Sequence, residues 1–229
     1  MKKNLYIFGC SGIGKSICDS LDRNIPVYEQ VIFVDIDHER CNGLFYGRDV
    51  MFFDDLENVK VDGGHAIFAF FKPSNIFDRD ILIDEVLSEN NLELTSIVDP
   101  SAVVSDSSSI GIGTYIGPNV VIDSDAKIGE NCIILFNTVI SREVEIAENC
   151  FISAGCVLKG SISVSKSSFI SANVSLAKSI HERSFVNAGV VLTDEITESS
   201  IVASTPSLTK LLLPDDDKKA MKRLRYLHP

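Results

Sequence analysis

Between Val98 and Leu176 every sixth residue is aliphatic: Val98, Val104, Ile110, Ile116, Ile122, Ile128, Ile134, Ile140, Ile146, Ile152, Leu158, Val164, Ile170 and Leu176. Two places ahead of each stop stands a mostly small or β-branched residue, among them Ala102, Thr114, Ala126, Cys132, Val144, Cys150 and Cys156. The place after each stop is mostly small or acidic, as at Asp99, Gly111, Gly117, Asp123, Gly129 and Ser153. A period of six matches neither the 3.6 residues of a helical turn nor the two-residue alternation of a flat strand. It matches a parallel β-helix, in which short strands turn a corner every six residues and coils stack about 4.8 Å apart, each covered by its neighbours. Three faces make a coil of eighteen residues, so this run alone supplies four to five coils.

The chain has 229 residues, room for one large domain or two modest ones. A net charge of −11 argues against nucleic acid as a partner, because phosphates need a positive field. A few local amides can still hold a small anion. No apolar run approaches the roughly 20 residues of a membrane span. Behind Met1, Lys2 and Lys3 the apolar stretch Leu5 to Phe8 is broken by Gly9, too short for a signal peptide, so the cytoplasm is the expected location. Of the six cysteines, Cys132, Cys150 and Cys156 take the small inward place of the repeat, where a thiol acts as a compact hydrophobe. Cys10, Cys18 and Cys41 lack C-x-x-C spacing, and no metal site is expected.

Ahead of the repeat, Leu5 to Phe8 reads as a buried strand, followed by Gly9-Cys10-Ser11-Gly12-Ile13-Gly14-Lys15 and a helix carrying Ile17 and Leu21. A strand, a glycine turn and a helix N-terminus together form an anion site, because free amides converge there. Val31 to Val34 ends in Asp35, about 20 residues beyond the glycines, where a Rossmann-like unit places the acid that binds a ribose hydroxyl. Gly9, Gly14, Lys15 and Ser16 also spell the P-loop pattern G-x-x-x-x-G-K-S of phosphotransferases. Fewer than 100 residues precede the repeat, which leaves too little chain for a usual P-loop sheet. Met51 to Phe53 and Ala66 to Phe71 read as further parallel strands, and Asn75 to Glu89 as a helix on the spacing of Ile76, Ile81, Ile83, Val86 and Leu87. His38 and His65 read as surface residues near strand ends, and Lys72 as a solvated lysine that could face a ligand.

The glycine loop, the β-helix pattern and the joining segment Ile97 to Ser105 (Ile-Val-Asp-Pro-Ser-Ala-Val-Val-Ser) resemble the NeuD/PglD-type hexapeptide-repeat sugar O- and N-acetyltransferases over essentially the whole chain. The resemblance implies an α/β Rossmann-like domain at residues 1–95 that holds a nucleotide-linked sugar, a left-handed parallel β-helix at 96–210 and a helical tail at 211–229. The left hand comes from the resemblance; the general rule for crossovers between parallel strands gives the opposite one. It further implies a homotrimer with acetyl-CoA between neighbouring subunits, acting on an amino sugar used in bacterial surface polysaccharides. Gly9, Ser11, Gly12, Gly14 and Asp35 fall to the sugar-nucleotide site. Gly160 falls to the thioester region and Ala172 to the pantetheine path.

The family's catalytic histidine aligns with Arg142 and its acidic partner with Glu143. Arginine offers donors only and cannot serve as a base. Asp99 and Phe151 stand where relatives carry other histidines, and none occurs between Val98 and Leu176. Three readings follow: an amine acylated by positioning without a protein base, a base supplied by His181, or a silent relative that binds nucleotide-sugar or CoA. After an irregular step from Leu176 to Ile180, the coils resume through Val186, Leu192, Ile196 and Val202, and Ala203 to Pro206 replaces a Gly-x-Pro-Ala segment near the CoA adenine. In the tail, Asp215 to Asp217 precede Lys218, Lys219, Lys222, Arg223 and Arg225, a charge order that suits a helix. That helix is expected to cover the open end of the stack.

Overall fold

The computed structural model of the protein describes residues 3–25, 27–37, 43–56, 63–71 and 79–203. His38, Cys41, Lys72, Ser204 to Pro206 and the tail 211–229 lie outside the described residues.

The N-terminal region is a six-stranded sheet with helices. Its elements are β1 (Leu5–Phe8), α1 (Gly12–Asp22), β2 (Val31–Asp35), β3 (Leu44–Phe45), β4 (Arg48–Phe52), β5 (Gly64–Phe68), α2 (Arg79–Asn90) and β6 (Leu92–Leu94). The order across the sheet is β3-β4-β2-β1-β5-β6, parallel throughout except for the β3–β4 hairpin. β1 is buried at all four residues, which is why its sequence is continuously apolar instead of alternating. Gly14 lets α1 close onto the sheet: a Cβ there would stand 2.6 Å from Phe33 Cε1 and 2.9 Å from the Gly9 carbonyl oxygen. The hairpin turns at Tyr46 and Gly47, both at positive φ, and straps α1. Phe45 meets Phe33 edge to face at 4.9 Å, Tyr46 Oη donates to Asp19, and Arg48 pairs with Asp22. The helix expected from residue 75 is described from Arg79; Ile83 and Val86 are buried, whereas Ile81, expected on the apolar face, is 65% exposed. β6 is the last strand of the sheet, and the chain passes from it directly into the first coil at Ile97.

From Ile97 the chain winds as a parallel β-helix with three faces. The first stacks seven two-residue strands, from Ile97–Val98 through Tyr115–Ile116, Ile133–Ile134, Phe151–Ile152, Phe169–Ile170 and Phe185–Val186 to Ile201–Val202. The second stacks six, from Val103–Val104 to Val191–Leu192, and the third four, from Ser109–Ile110 to Ser163–Val164. The aliphatic stops form one continuous core with the small residues between them. Cys132, Cys150 and Cys156 are fully buried there, and each Sγ–H donates to a carbonyl of the next coil, Ala147, Ser165 and Ser171 at 3.1–3.3 Å. The second residue of most corners has a left-handed backbone, with φ between 53° and 59° at Asn119, Asp125, Asn131, Asn137, Glu143, Asn149, Ser161, Ser167, Asn173 and Arg183. Asparagine predominates because its short amide tolerates that region best after glycine. Paired residues are 18 apart up to Leu158 and Leu176, then 16 apart from Val164 and Ile180 onward, so the irregular step is a corner shortened by two residues.

The α/β region lies on the first face. Ile97, Tyr115, Ile133 and Phe151 point outward there and share a core with Leu5, Ile17 and Ile67. Phe151, expected where relatives have a histidine, is a packing residue stacked on Phe169 at 4.6 Å and tilted against Phe71 at 4.9 Å. Asp99 is likewise structural, as its carboxylate is 1% exposed and ties the first coil to α1. It accepts from Ser20 Oγ and Ser101 Oγ, both at 2.6 Å, from the Ser101 amide at 2.9 Å, and from Arg23. Tyr115 Oη completes the cluster, 2.9 Å from Ser20 Oγ and donating to the Ser16 carbonyl at 3.0 Å. Burial pushes the Tyr115 hydroxyl up to about 12. Burial also works against ionised Asp99, but the bonds from Ser101, Ser20 and Arg23 outweigh it and hold the carboxyl down at about 2. Among the described residues no helix is long and apolar enough to cross a membrane.

Candidate active site

Two sets of candidate residues occupy two places. The first is the loop at the C-terminal end of β1. Gly9 has φ +110°, and a Cβ on it would approach Phe70 Cβ at 3.3 Å, so the turn needs a glycine on both counts. Asp35, at the end of β2, accepts the Cys10 amide at 2.6 Å and so lies beside the loop. Ser11 is the N-cap of α1: its Oγ accepts the Gly14 amide at 3.1 Å and donates to the Ala69 carbonyl at 2.6 Å. That hydroxyl builds the loop. Gly12 has open space where a side chain would be. Four of the five expected residues thus shape the loop, and Gly12 leaves room over the helix N-terminus.

The same geometry disposes of the P-loop alternative. That motif needs the whole span between its two glycines as a loop that cradles phosphates, with Lys free to reach them. Here α1 already begins at Gly12, Lys15 lies in its first turn, and the Lys15 ammonium is 5.2 Å from the Phe45 ring and 5.7 Å from Tyr46, under the hairpin. Ser16 Oγ is turned back onto the Gly12 carbonyl.

The second place is the edge between the second and third faces of the β-helix. Arg142 and Gly160 stack there one coil apart: a Cβ on Gly160 would stand 3.1 Å from the Arg142 carbonyl oxygen and 3.4 Å from Arg142 Cγ. The Ser161 amide donates to that carbonyl at 3.1 Å, while Ser161 Oγ donates to Glu143 at 2.6 Å. Glu143 is therefore held in a left-handed corner by its neighbours, and the Arg142 guanidinium is exposed with no hydrogen-bond or ion-pair partner among the described residues. The exposed Gly160 amide makes no backbone hydrogen bond among the described residues. A guanidinium and a free amide side by side are donors suited to a developing oxyanion. Ala172 is not brought to Gly160: it lies on the edge between the first and second faces, where its carbonyl accepts the Gly189 amide at 2.9 Å. His181 is on the remaining edge, exposed, with Nδ1 3.4 Å from the Glu182 carbonyl.

The two faces that meet at Arg142 differ. On the second, Val103, Val121, Val139, Val157 and Val191 form an outward ladder, 36–67% exposed. The third is polar and carries a groove of about 580 Å³ lined by Lys127, Glu145, Glu148, Lys166 and Glu182, with a Lys127–Glu145 pair at 2.7 Å.

A parallel β-helix of six-residue repeats with an α/β region on one face defines a class. Residues 107–142 and 125–160 match the family described as bacterial transferase hexapeptide (six repeats). Among solved structures the chain is similar to a histidine-to-alanine mutant of GDP-perosamine N-acetyltransferase from Caulobacter crescentus in complex with CoA and GDP-perosamine. Identity is 24% over 89% of this chain and 95% of that one, with a TM-score of 0.77. It is similar also to the acetyltransferase domain of PglB from Neisseria gonorrhoeae in complex with acetyl coenzyme A, at 20% identity over 86% of this chain and 93% of that one, TM-score 0.76. WeeI from Acinetobacter baumannii follows at 17% identity over 80% and 95%, TM-score 0.57. No curated protein sequence matches the chain. At these identities the likeness is one of fold: the chain is a hexapeptide-repeat β-helix protein folded like these acetyltransferases.

Two features of the junction between the halves escaped sequence reasoning. Arg79 sits in a helical pattern, where arginine is ordinarily solvated, and Ser20 and Tyr115 lie 95 residues apart with no motif to link them. Asp99 drew notice only as a residue standing where relatives have histidine.

Proposed function

We propose that the protein is an acetyl-CoA-dependent N-acetyltransferase acting on a nucleotide-linked amino sugar for bacterial surface polysaccharide, in the cytoplasm. The observation that carries the reading is the stacking of Gly160 directly on Arg142 at the edge between the second and third faces, with Glu143 held by Ser161. Solved proteins of this fold hold CoA with GDP-perosamine, or acetyl coenzyme A. In this reading the α/β half is a Rossmann-like domain spanning 1–95, the β-helix spanning 96–210 is left-handed, and a helical tail follows at 211–229. Gly9, Ser11, Gly12, Gly14 and Asp35 form the sugar-nucleotide site, and Gly160 and Ala172 belong to the acetyl-CoA path. Because Ala172 and Gly160 are on different edges, they meet one donor only if two subunits contribute. A homotrimer packed through the valine ladder supplies that arrangement, since a row of exposed valines calls for an apolar cover.

Chemically, the neutral amine attacks the thioester carbonyl, a C–N bond forms, the C–S bond breaks and CoA leaves as thiol. Gly160 N–H and Arg142 stabilise the oxyanion, and water relays the proton lost by the amine to the departing sulfur, so no histidine is required. The replacement of the family's histidine by Arg142 also favours a second reading, a silent relative that binds nucleotide-sugar or CoA. Thiol release from acetyl-CoA with a panel of nucleotide amino sugars separates the two: release supports the transferase, and binding without release supports the silent form. Given release, Arg142→His is expected to change the rate or acceptor range at least about tenfold, in the range of a general base. An unchanged profile removes position 142 from the reacting centre.

A further inference from the structure

Arg79 is the largest fully buried side chain among the described residues, 1% exposed, and it faces no carboxylate. Burial draws its pKa down to about 10. An unpaired buried charge is costly, so its position calls for a compensating arrangement. Four carbonyl oxygens provide one. Nε donates to the Phe70 carbonyl at 3.0 Å and Nη2 to the Phe68 carbonyl at 3.0 Å, while Nη1 donates at 2.7 Å both to the Asn131 carbonyl and to Asn149 Oδ1. The guanidinium also lies 5.1 Å from the Phe71 ring.

These partners come from the two halves of the molecule. Phe68 ends β5 and Phe70 lies just beyond it, in the segment whose Ala69 carbonyl accepts Ser11 Oγ and whose Ala69 amide donates to the Phe8 carbonyl at 2.8 Å. The glycine loop therefore rests on one side of this segment and Arg79 on the other. Asn131 and Asn149 are corner residues of the β-helix, and Asn149 lies on the same coil as Arg142, beyond the single strand Glu145–Ile146. We propose that Arg79 is a positioning residue: its guanidinium fork fixes the glycine-loop site of the α/β half relative to the Arg142–Gly160 edge of the β-helix. The proposal deepens the acetyltransferase reading and rests on it for its kinetic readout. A lysine cannot take this place, because an ammonium on a flexible stem does not span four acceptors set in a fork.

The test uses the full chain with Arg79→Lys, and Asn149→Gly as a second variant that keeps the left-handed corner while removing one of the two acceptors on the coil side. Each substrate is titrated alone by calorimetry, turnover is followed by thiol release, and amide exchange is read without substrate. The expected result is nucleotide-sugar and acetyl-CoA affinity each within about twofold of the parent while kcat falls about tenfold or more, since a shift near 1 Å between reacting groups costs on that order. Amide exchange at residues 66–71 and in the glycine loop should rise, with the coil core unchanged. Unchanged kcat and unchanged exchange in a folded variant overturn the proposal, as does a kcat loss fully explained by one weakened substrate. If the parent releases no thiol, the acetyltransferase reading fails while the exchange result still decides whether Arg79 joins the halves.

Discussion

The β-helix and the α/β half are held together by different means, and the boundary between them by a third. In the coils each core residue touches copies of its own kind one turn above and below, so Ile122, Ile140 and Leu158 stack as equivalents. In the sheet, contacts are individual: Phe33 against Phe45, Gly14 against Phe33, Tyr46 on Asp19. At the boundary two ionised groups, Asp99 and Arg79, are each buried and draw their hydrogen-bond partners from both halves. Repetition spreads stability over many small terms, whereas a boundary of this kind concentrates it in a few side chains.

The contrast can be broken most sharply in the coils. Ile140→Ala empties a fully buried site between two neighbours that backbone pairing holds in place, and should cost about 3 kcal/mol by urea denaturation. A loss below about 1 kcal/mol would mean the stack collapses onto cavities and is less rigid than the sheet.

Next comes Asp99→Asn. The folded carboxyl titrates at about 2 against an ordinary 3.8, so the folded form binds fewer protons than the unfolded chain. Its contribution is full above about pH 4 and is lost as pH falls toward 2, about 2 kcal/mol in all. Acid titration of the parent should show that loss and the variant should not; identical acid profiles would detach Asp99 from the boundary's stability.

The smallest effect belongs to Lys127→Ala. Its pair with Glu145 is 67% and 55% exposed and screened by solvent, so removal should leave the melting temperature essentially unchanged. A clear melting shift would give the polar face a structural role of its own.

How much was legible in the sequence follows the same division. The coils could be read residue by residue, because a six-residue period is a local signal, and even the shortened corner showed as the step from Leu176 to Ile180. In the α/β half β1, α1 and β2 were legible from an apolar run, a glycine turn followed by helical spacing, and a terminal acid. The β3–β4 hairpin was not, since its turn places Tyr46 at positive φ, where asparagine or glycine would have announced it. Ile81 kept the spacing of a buried face but is exposed, because α2 covers the sheet through Ile83 and Val86. Within the site, Arg142, Glu143 and Gly160 came together as eighteen-residue spacing requires. Ala172, twelve residues from Gly160, fell on another edge for the same arithmetic reason. The boundary was illegible: four carbonyls around one guanidinium leave no trace in the order of residues.

The left-handed corners impose quantised length on this molecule. Losing or gaining one residue within a strand would turn the aliphatics that follow it outward, whereas a corner can give up two residues, as it does between Leu176 and Ile180. Removing a complete lap, 127–144 for example, would rejoin Ala126 to Glu145 in phase. The stack thus acts as a ruler graduated in laps, and its height can change between descendants without rebuilding either end.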